Sequence, residues 1–199
     1  NGITGTNGIV AVGNLTTSGI KANNLLTESK CSIEVTEADF GKAGGHNVKA
    51  TGSSNIVLKD AKVKGTSSGS HHGIMAEGGD IELNNVEISD VKANEQRVAI
   101  RVNNASSKVT GKDVTITDSS LGISADKGEI VIQNLTSSAT LKNVEALGAT
   151  ITIKKSTLNT TSSNNVEVTA GTLTLENVDV KEINEEFENS YDGNEEIKI

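Results

Sequence analysis

The sequence predicts an all-β fold, a parallel β-solenoid of about eight coils with roughly 23 residues and three short strands per coil. Three observations carry this reading. A strand-like pattern of apolar residues recurs eight times, the copies are almost evenly spaced, and the composition suits a narrow stacked interior.

The recurring rule is easiest to see in DIELNNVEIS, residues 80–89, and in TLTLENVDVK, residues 172–181. Counting from its first apolar residue, offsets 0 and 2 are apolar, offset 4 is Asn or Asp, and offsets 5 and 7 are apolar or small. Copies begin at Val10, Ile33, Ile56, Ile81, Val109, Ile130, Ile151 and Leu173. Alternation at period two is the signature of a strand with one face buried. Between offsets 2 and 5 the alternation slips by one, so the chain must bend for both halves to point inward. Offset 4 supplies the bend. Six of its eight residues, Asn14, Asp60, Asn85, Asp113, Asn134 and Asn177, belong to the two non-glycine types that best tolerate left-handed backbone; Glu37 and Lys155 are the exceptions. Stacked in register, this column is expected to form an amide ladder. Offset 2 has one departure, Gly111.

A third arm precedes each copy. It is read in NVKA (47–50), GIMA (73–76), AIRV (99–102), GISA (122–125), NVEA (143–146) and NVEV (165–168), with Ile3 in the first coil. For the second coil both Ile20 and Leu26 are candidates. We call the upstream strand arm A and the halves before and after offset 4 arms B and C. One coil cannot bury its own apolar face, whereas stacked coils can. An amphipathic helix is excluded, because offsets 0, 2, 5 and 7 do not follow a 3.6-residue period.

Composition agrees. Only 2% of residues are aromatic and there is no Pro, so the interior is built from branched aliphatics and no ladder hydrogen bond is deleted. The formal net charge of −8 argues against nucleic acid and against adsorption to an anionic membrane. No apolar run approaches the roughly 20 residues of a spanning helix. No signal peptide is visible, and the chain opens inside the repeat, as a mature protein or an excised fragment would. Cys31 is the single cysteine and is expected to be buried and inert.

The domain reading is a β-helix over 1–180 followed by an acidic stretch, 181–199, acting as a cap or as a flexible tail. Ile183 and Phe187 are spaced as on one helix face. Two connections are long, 64–73 and 89–99, and leave neighbouring coils. Loops on a rigid scaffold are where binding concentrates, so the candidate binding residues are Ser70, His71, His72, Lys92, Asn94, Glu95 and Arg97. His46 and His72 each stand two residues before an arm A and should be neighbours in adjacent coils. With His71 they are all the histidines of the chain. A zinc site would need such clustering, but no carboxylate or Cys ligand is fixed by spacing, and solvated loop side chains are expected. No metal, no cofactor and no catalytic residue is assigned. The outward row of arm A shows a charge gradient and no carboxylate pair, and three aromatic side chains leave little on which a sugar could stack.

The runs LNNVEI, IQNLTS, LKNVEA and LENVDV, with the GIMA and GISA strands, resemble the passenger repeats of bacterial autotransporters of the pertactin-like class. The resemblance covers residues 3–180 as a coil pattern. It implies a right-handed parallel β-helix, exported unfolded to the surface or surroundings of a Gram-negative cell, with the translocator β-barrel elsewhere in the full-length chain. It implies an adhesin or host-interaction role in virulence, or a released ligand for a host-cell receptor, with a host surface protein or a glycan as partner. Two-partner secreted haemagglutinin-like exoproteins and pectin-lyase-like polysaccharide-processing enzymes write similar coils and stand as alternatives.

Overall fold

Left-handed backbone at offset 4 is what closes each coil, and it is present in all eight. Asn14, Glu37, Asp60, Asn85, Asp113, Asn134, Lys155 and Asn177 have φ between 50° and 56°. The two residues of the wrong type, Glu37 and Lys155, adopt the same conformation as the Asn and Asp residues, so stacking on neighbouring coils imposes it. This computed structural model describes residues 1–66, 70–92, 97–160, 165–182 and 190–198, the last segment as backbone.

The described residues form eleven strands: β1 (Ile3–Thr17), β2 (Leu25–Phe40), β3 (Val48–Thr51), β4 (Asn55–Lys64), β5 (Ile74–Glu77), β6 (Asp80–Ser89), β7 (Val98–Val102), β8 (Lys108–Ala125), β9 (Glu129–Thr160), β10 (Val166–Glu182) and β11 (Ser190–Lys198). Each coil lies in parallel register on the next. Val10 pairs with Ile33, Ile33 with Ile56, Ile56 with Ile81, Ile81 with Val109 and Val109 with Ile130, and Leu173 pairs with Ile151. The stacked coils make a solenoid of about seven turns. The described residues contain no helix.

The interior is one continuous aliphatic column. Ile33, Ile56, Ile130, Ile132, Ile151 and Ile153 have no exposed surface, and Cys31 is buried with them. Burial at this level contributes roughly 1.5–3 kcal/mol per large aliphatic side chain. Gly111 breaks the offset-2 pattern for a steric reason. A Cβ there would lie 3.0 Å from Val114 Cγ2 and 3.2 Å from Ile132 Cγ1, which already fill the space.

In the second coil, neither Ile20 nor Leu26 is the inward arm A residue. Leu25 is, paired with Ile3 below and Val48 above. Its arm is one residue longer than the spacing rule allows, and a bulge absorbs the difference. Ser29 and Lys30, both with positive φ, oppose the single residue Asn7.

At the far end β11 runs antiparallel along β10, from Lys198 opposite Thr172 to Ser190 opposite Lys181. This strand lies within the 181–199 stretch; Ile183 and Phe187 fall outside the described residues.

The amide ladder is divided between two places. The exposed offset-4 column carries two cross-coil bonds, Asn85 Nδ2 donating to Asp60 Oδ1 (2.6 Å) and Asn134 Nδ2 to Asp113 Oδ1 (2.8 Å). The buried ladder lies elsewhere, one residue before arm A. There Asn24 Nδ2 donates to Asn47 Oδ1 (2.9 Å), and Asn143 Nδ2 to Asn165 Oδ1 (2.7 Å).

Candidate functional site

The corner between arm C and arm A is built in two ways. In the coils that carry Asn24, Asn47, Asn143 and Asn165, a buried amide clamps the turn. Asn24 and Asn47 both donate to the Gly41 carbonyl (2.6 and 3.0 Å), and Asn47 also reaches the Lys64 carbonyl. Asn143 donates to the Asn159 carbonyl (2.6 Å) and accepts from the Ala139 N–H (3.0 Å) and the Ser137 hydroxyl. The equivalent residues of the central coils are Gly73, Ala99 and Gly122, which have no side-chain donor. The two long connections leave the rod at this corner, ahead of Gly73 and Ala99.

Two other devices hold the central corner. Arg97 is 4% exposed, and its Nη1 donates to the Thr66 carbonyl (2.8 Å) and the Lys92 carbonyl (2.6 Å), tying the base of one loop to the base of the other. The second device is a histidine stair. The His72 N–H donates to His46 Nδ1 (3.0 Å), and the Val98 N–H donates to His72 Nδ1 (3.2 Å). Each ring therefore accepts from the backbone of the coil above. The His46 and His72 rings stack at 5.3 Å, and His71 meets His46 edge-on at 5.0 Å.

The neighbour relation expected of His46 and His72 holds, but the expected solvation does not. Both rings are half-buried, because the next coil's backbone needs an acceptor at that depth. Burial, reinforced by Lys49 and His71, lowers the His46 pKa to about 4. Burial, reinforced by His46, Arg101, His71 and Arg97, lowers that of His72 to about 3. Both imidazoles are neutral at pH 7, with Nδ1 the acceptor and the proton on Nε2. Neither nitrogen then offers a lone pair to a metal. Among the described residues no group of three or more His, Cys, Asp or Glu is placed to hold one.

The expected binding residues thus separate. His71, His72 and Arg97 come together at the corner. Ser70 borders it on the same loop. Lys92 lends its carbonyl to Arg97, while its ammonium pairs with Asp118 at 2.9 Å. Asn94 and Glu95 lie outside the described residues. The sequence reading passed over the asparagine clamps. Their signal was in the text: Asn stands directly before the first apolar residue of arm A in NLLT, NVKA, NVEA and NVEV.

Beside the corner, the outward row of arm A is recessed. Met75 and Ser124 are buried, and the charged residues are paired along the rod. Lys49 binds Glu77 (2.5 Å), Arg101 binds Asp126 (2.5 Å), and Lys142 binds Glu145 (2.9 Å) and Glu167 (2.5 Å). Burial by itself would raise the Glu145 carboxyl. Hydrogen bonds from Lys142 and Ser124 outweigh it and hold the group below the usual carboxylate range. On another face, near the first coils, an open trough of about 330 Å³ gathers Glu37, Asp39, Asp60 and Lys62. Sequence inspection, taking one offset at a time, had not joined these carboxylates.

Comparison with protein-family models, with curated proteins and with solved structures finds no match to this chain.

Proposed function

We propose that this chain is an extracellular passenger domain of the autotransporter type, a right-handed parallel β-helix that acts by binding, as an adhesin or as a ligand for a host-cell surface protein or glycan. The observation that carries the binding role is the central corner. Two loops leave neighbouring coils of a rigid rod, and their bases are fixed to one another by Arg97 and to the rod by His46 and His72. Such anchoring limits the entropy lost when loops engage a partner. The coil motifs quoted above support the secreted, cell-surface setting, and the parallel solenoid is the scaffold they call for.

The test is deletion of 64–73 with the fold kept, read out as binding to host cells. Lost binding by a variant that still folds, with a melting temperature lowered because the Thr66 and His72 anchors go with the loop, is the expected result; unchanged binding removes this loop as the contact.

A polysaccharide-processing enzyme is the second reading, and the trough of Glu37, Asp39 and Asp60 is the observation in its favour. Carboxylates gathered on one face are the starting requirement for glycosidic acid–base chemistry. Incubation with candidate glycans decides. New reducing ends or unsaturated products, abolished in Asp39→Asn, would displace the binding reading.

A further inference from the structure

The corner between arm A and arm B is tight in most coils and open in one. Where the strands break there, the connections 52–54, 78–79 and 126–128 have two or three residues. Between β7 and β8 the connection 103–107 has five. Its base is tied to the coils on both sides. The Gly78 N–H donates to the Ser107 hydroxyl (2.7 Å), and the Glu129 N–H donates to the Ser107 carbonyl (3.0 Å). The tip stands out from the rod, with Ala105 and Ser106 exposed and Asn104 half-buried. Within the tip, Asn104 Oδ1 accepts from the Ser106 N–H (3.0 Å) and from the Ser106 hydroxyl (2.9 Å). No described residue accepts a hydrogen bond from Asn104 Nδ2.

We propose that Asn104 is an acceptor of N-linked sugar, transferred from a glycosyl diphosphate. Asn-x-Ser/Thr is the acceptor triplet for this modification, and it is used on surface turns. An amide nitrogen is a poor nucleophile until it gives up a proton, which places negative charge on Oδ1. Two donors already aimed at that oxygen stabilise the charge as it develops. The bond from the sugar C1 to the diphosphate oxygen breaks, and the diphosphate leaves with the electron pair. A C1–Nδ2 bond forms, and the transferase takes the amide proton. The chain carries three more such triplets, beginning at Asn14, Asn134 and Asn159. All three begin inside strands β1 and β9, where a transferase would have to pull the backbone out of its ladder. Asn134 Nδ2 is moreover bound to Asp113. Asn104 is therefore the acceptor in the folded chain. A sugar there stands at a different corner from the two long loops and leaves them open. Only the secreted setting of the proposed function is assumed; modification of Asn104 and binding through the loops can fail independently.

Mass spectrometry of the protein recovered from the cells that make it tests this. Cleavage after Arg101 and Lys108 isolates residues 102–108, in which Asn104 begins the only acceptor triplet. This peptide should carry added sugar. Single hexose units would mark a nucleotide-linked donor, and a preassembled oligosaccharide a lipid-linked one. Asn104→Gln and Ser106→Ala should abolish the addition and Ser106→Thr should keep it, with little change in melting temperature because the tip faces solvent. Incubating the purified, folded chain with UDP-glucose and a transferase specific for the triplet should modify Asn104 well before Asn134. A bare 102–108 peptide from the native source overturns the proposal. So does sugar that survives Asn104→Gln, or equal modification of Asn104 and Asn134 in the folded chain.

Discussion

The clamped corners and the looped corner solve one problem with different groups. Where arm C turns into arm A, backbone carbonyls face inward and need donors. Near both ends of the rod Asn47 and Asn143 supply them from within the coil, and the connection stays short. In the central coils Gly73, Ala99 and Gly122 supply no side-chain donor; there Arg97 donates to the Thr66 and Lys92 carbonyls, while His46 and His72 accept from the backbone N–H groups of His72 and Val98. The clamped corners therefore serve the stability of the whole rod. The looped corner serves the order of two loops. Damage to the first should be global, and damage to the second local.

Asn143→Leu tests the global half and should have the largest effect. Leucine fills the space but leaves the Asn159 carbonyl, the Ala139 N–H and the Ser137 hydroxyl without this partner. Buried groups orphaned in this way cost about 1–3 kcal/mol each, so a loss of roughly 3–5 kcal/mol is expected. Denaturant melts would show it as a lower midpoint with an unchanged slope. A loss below that of an exposed change such as Gln133→Leu would mean that the clamp contributes nothing.

Arg97→Leu tests the local half. It removes the tie between the Thr66 and Lys92 carbonyls and should cost about 1–3 kcal/mol. The distinguishing readout is hydrogen exchange. Protection should fall at Thr66, over 70–72 and at Val98 while the Ile130 and Ile151 rungs keep theirs. A uniform loss along the rod would erase the distinction between the corners.

The histidine stair adds a pH dependence that the asparagine clamps lack. In the unfolded chain His46 and His72 take a proton near 6.5; in the folded chain burial defers this to about 4 and about 3. Between those values the unfolded state binds protons that the folded state does not. Their contribution is therefore complete above about pH 6.5 and is lost progressively as the pH falls toward 3. Around His46, Lys49 and His71 act in the same direction as burial and Glu77 against it. Around His72, Arg101, Arg97 and His71 all reinforce burial. Glu77, held low first by its hydrogen bond to Lys49, gives up its own stabilisation only at more acidic pH. The His46→Ala/His72→Ala variant should melt below the parent at neutral pH, yet its melting temperature should fall less steeply between about pH 6.5 and 5. Equal slopes for the two proteins would show that the rings carry no linkage.

The rod was legible in the sequence because its rule is local. Period-two burial and a left-handed residue at offset 4 are written in every copy, and in-register stacking follows from repetition. The register error at Leu25 came from a bulge, for which Ser29 and Lys30 carry no distinctive signal. The looped corner was legible only in outline. Spacing placed His46 beside His72 correctly, but which backbone donor each ring meets depends on the path of the loop. The asparagine clamps were read as parts of strands, since a period-two pattern assigns no role to the residue just before an arm. Their inward turn is set by the corner and not by alternation.

The smallest expected effect concerns Lys155, where the sequence departs from the offset-4 rule and the structure does not. Its φ is 50°, and the strain of that conformation for an ordinary side chain is offset by the stacked coils on both sides. Asn tolerates the left-handed region better and can bond locally, so Lys155→Asn should stabilise the protein by about 0.5–1 kcal/mol. Asn134 and Asn177 flank this position in the column, and the new amide would complete a run of three. A rise of a few degrees in melting temperature is expected, and Lys155→Gly should share part of it. No rise for either variant would mean that the left-handed bend carries no strain, and that the preference for Asn and Asp in the column reflects hydrogen bonding between coils.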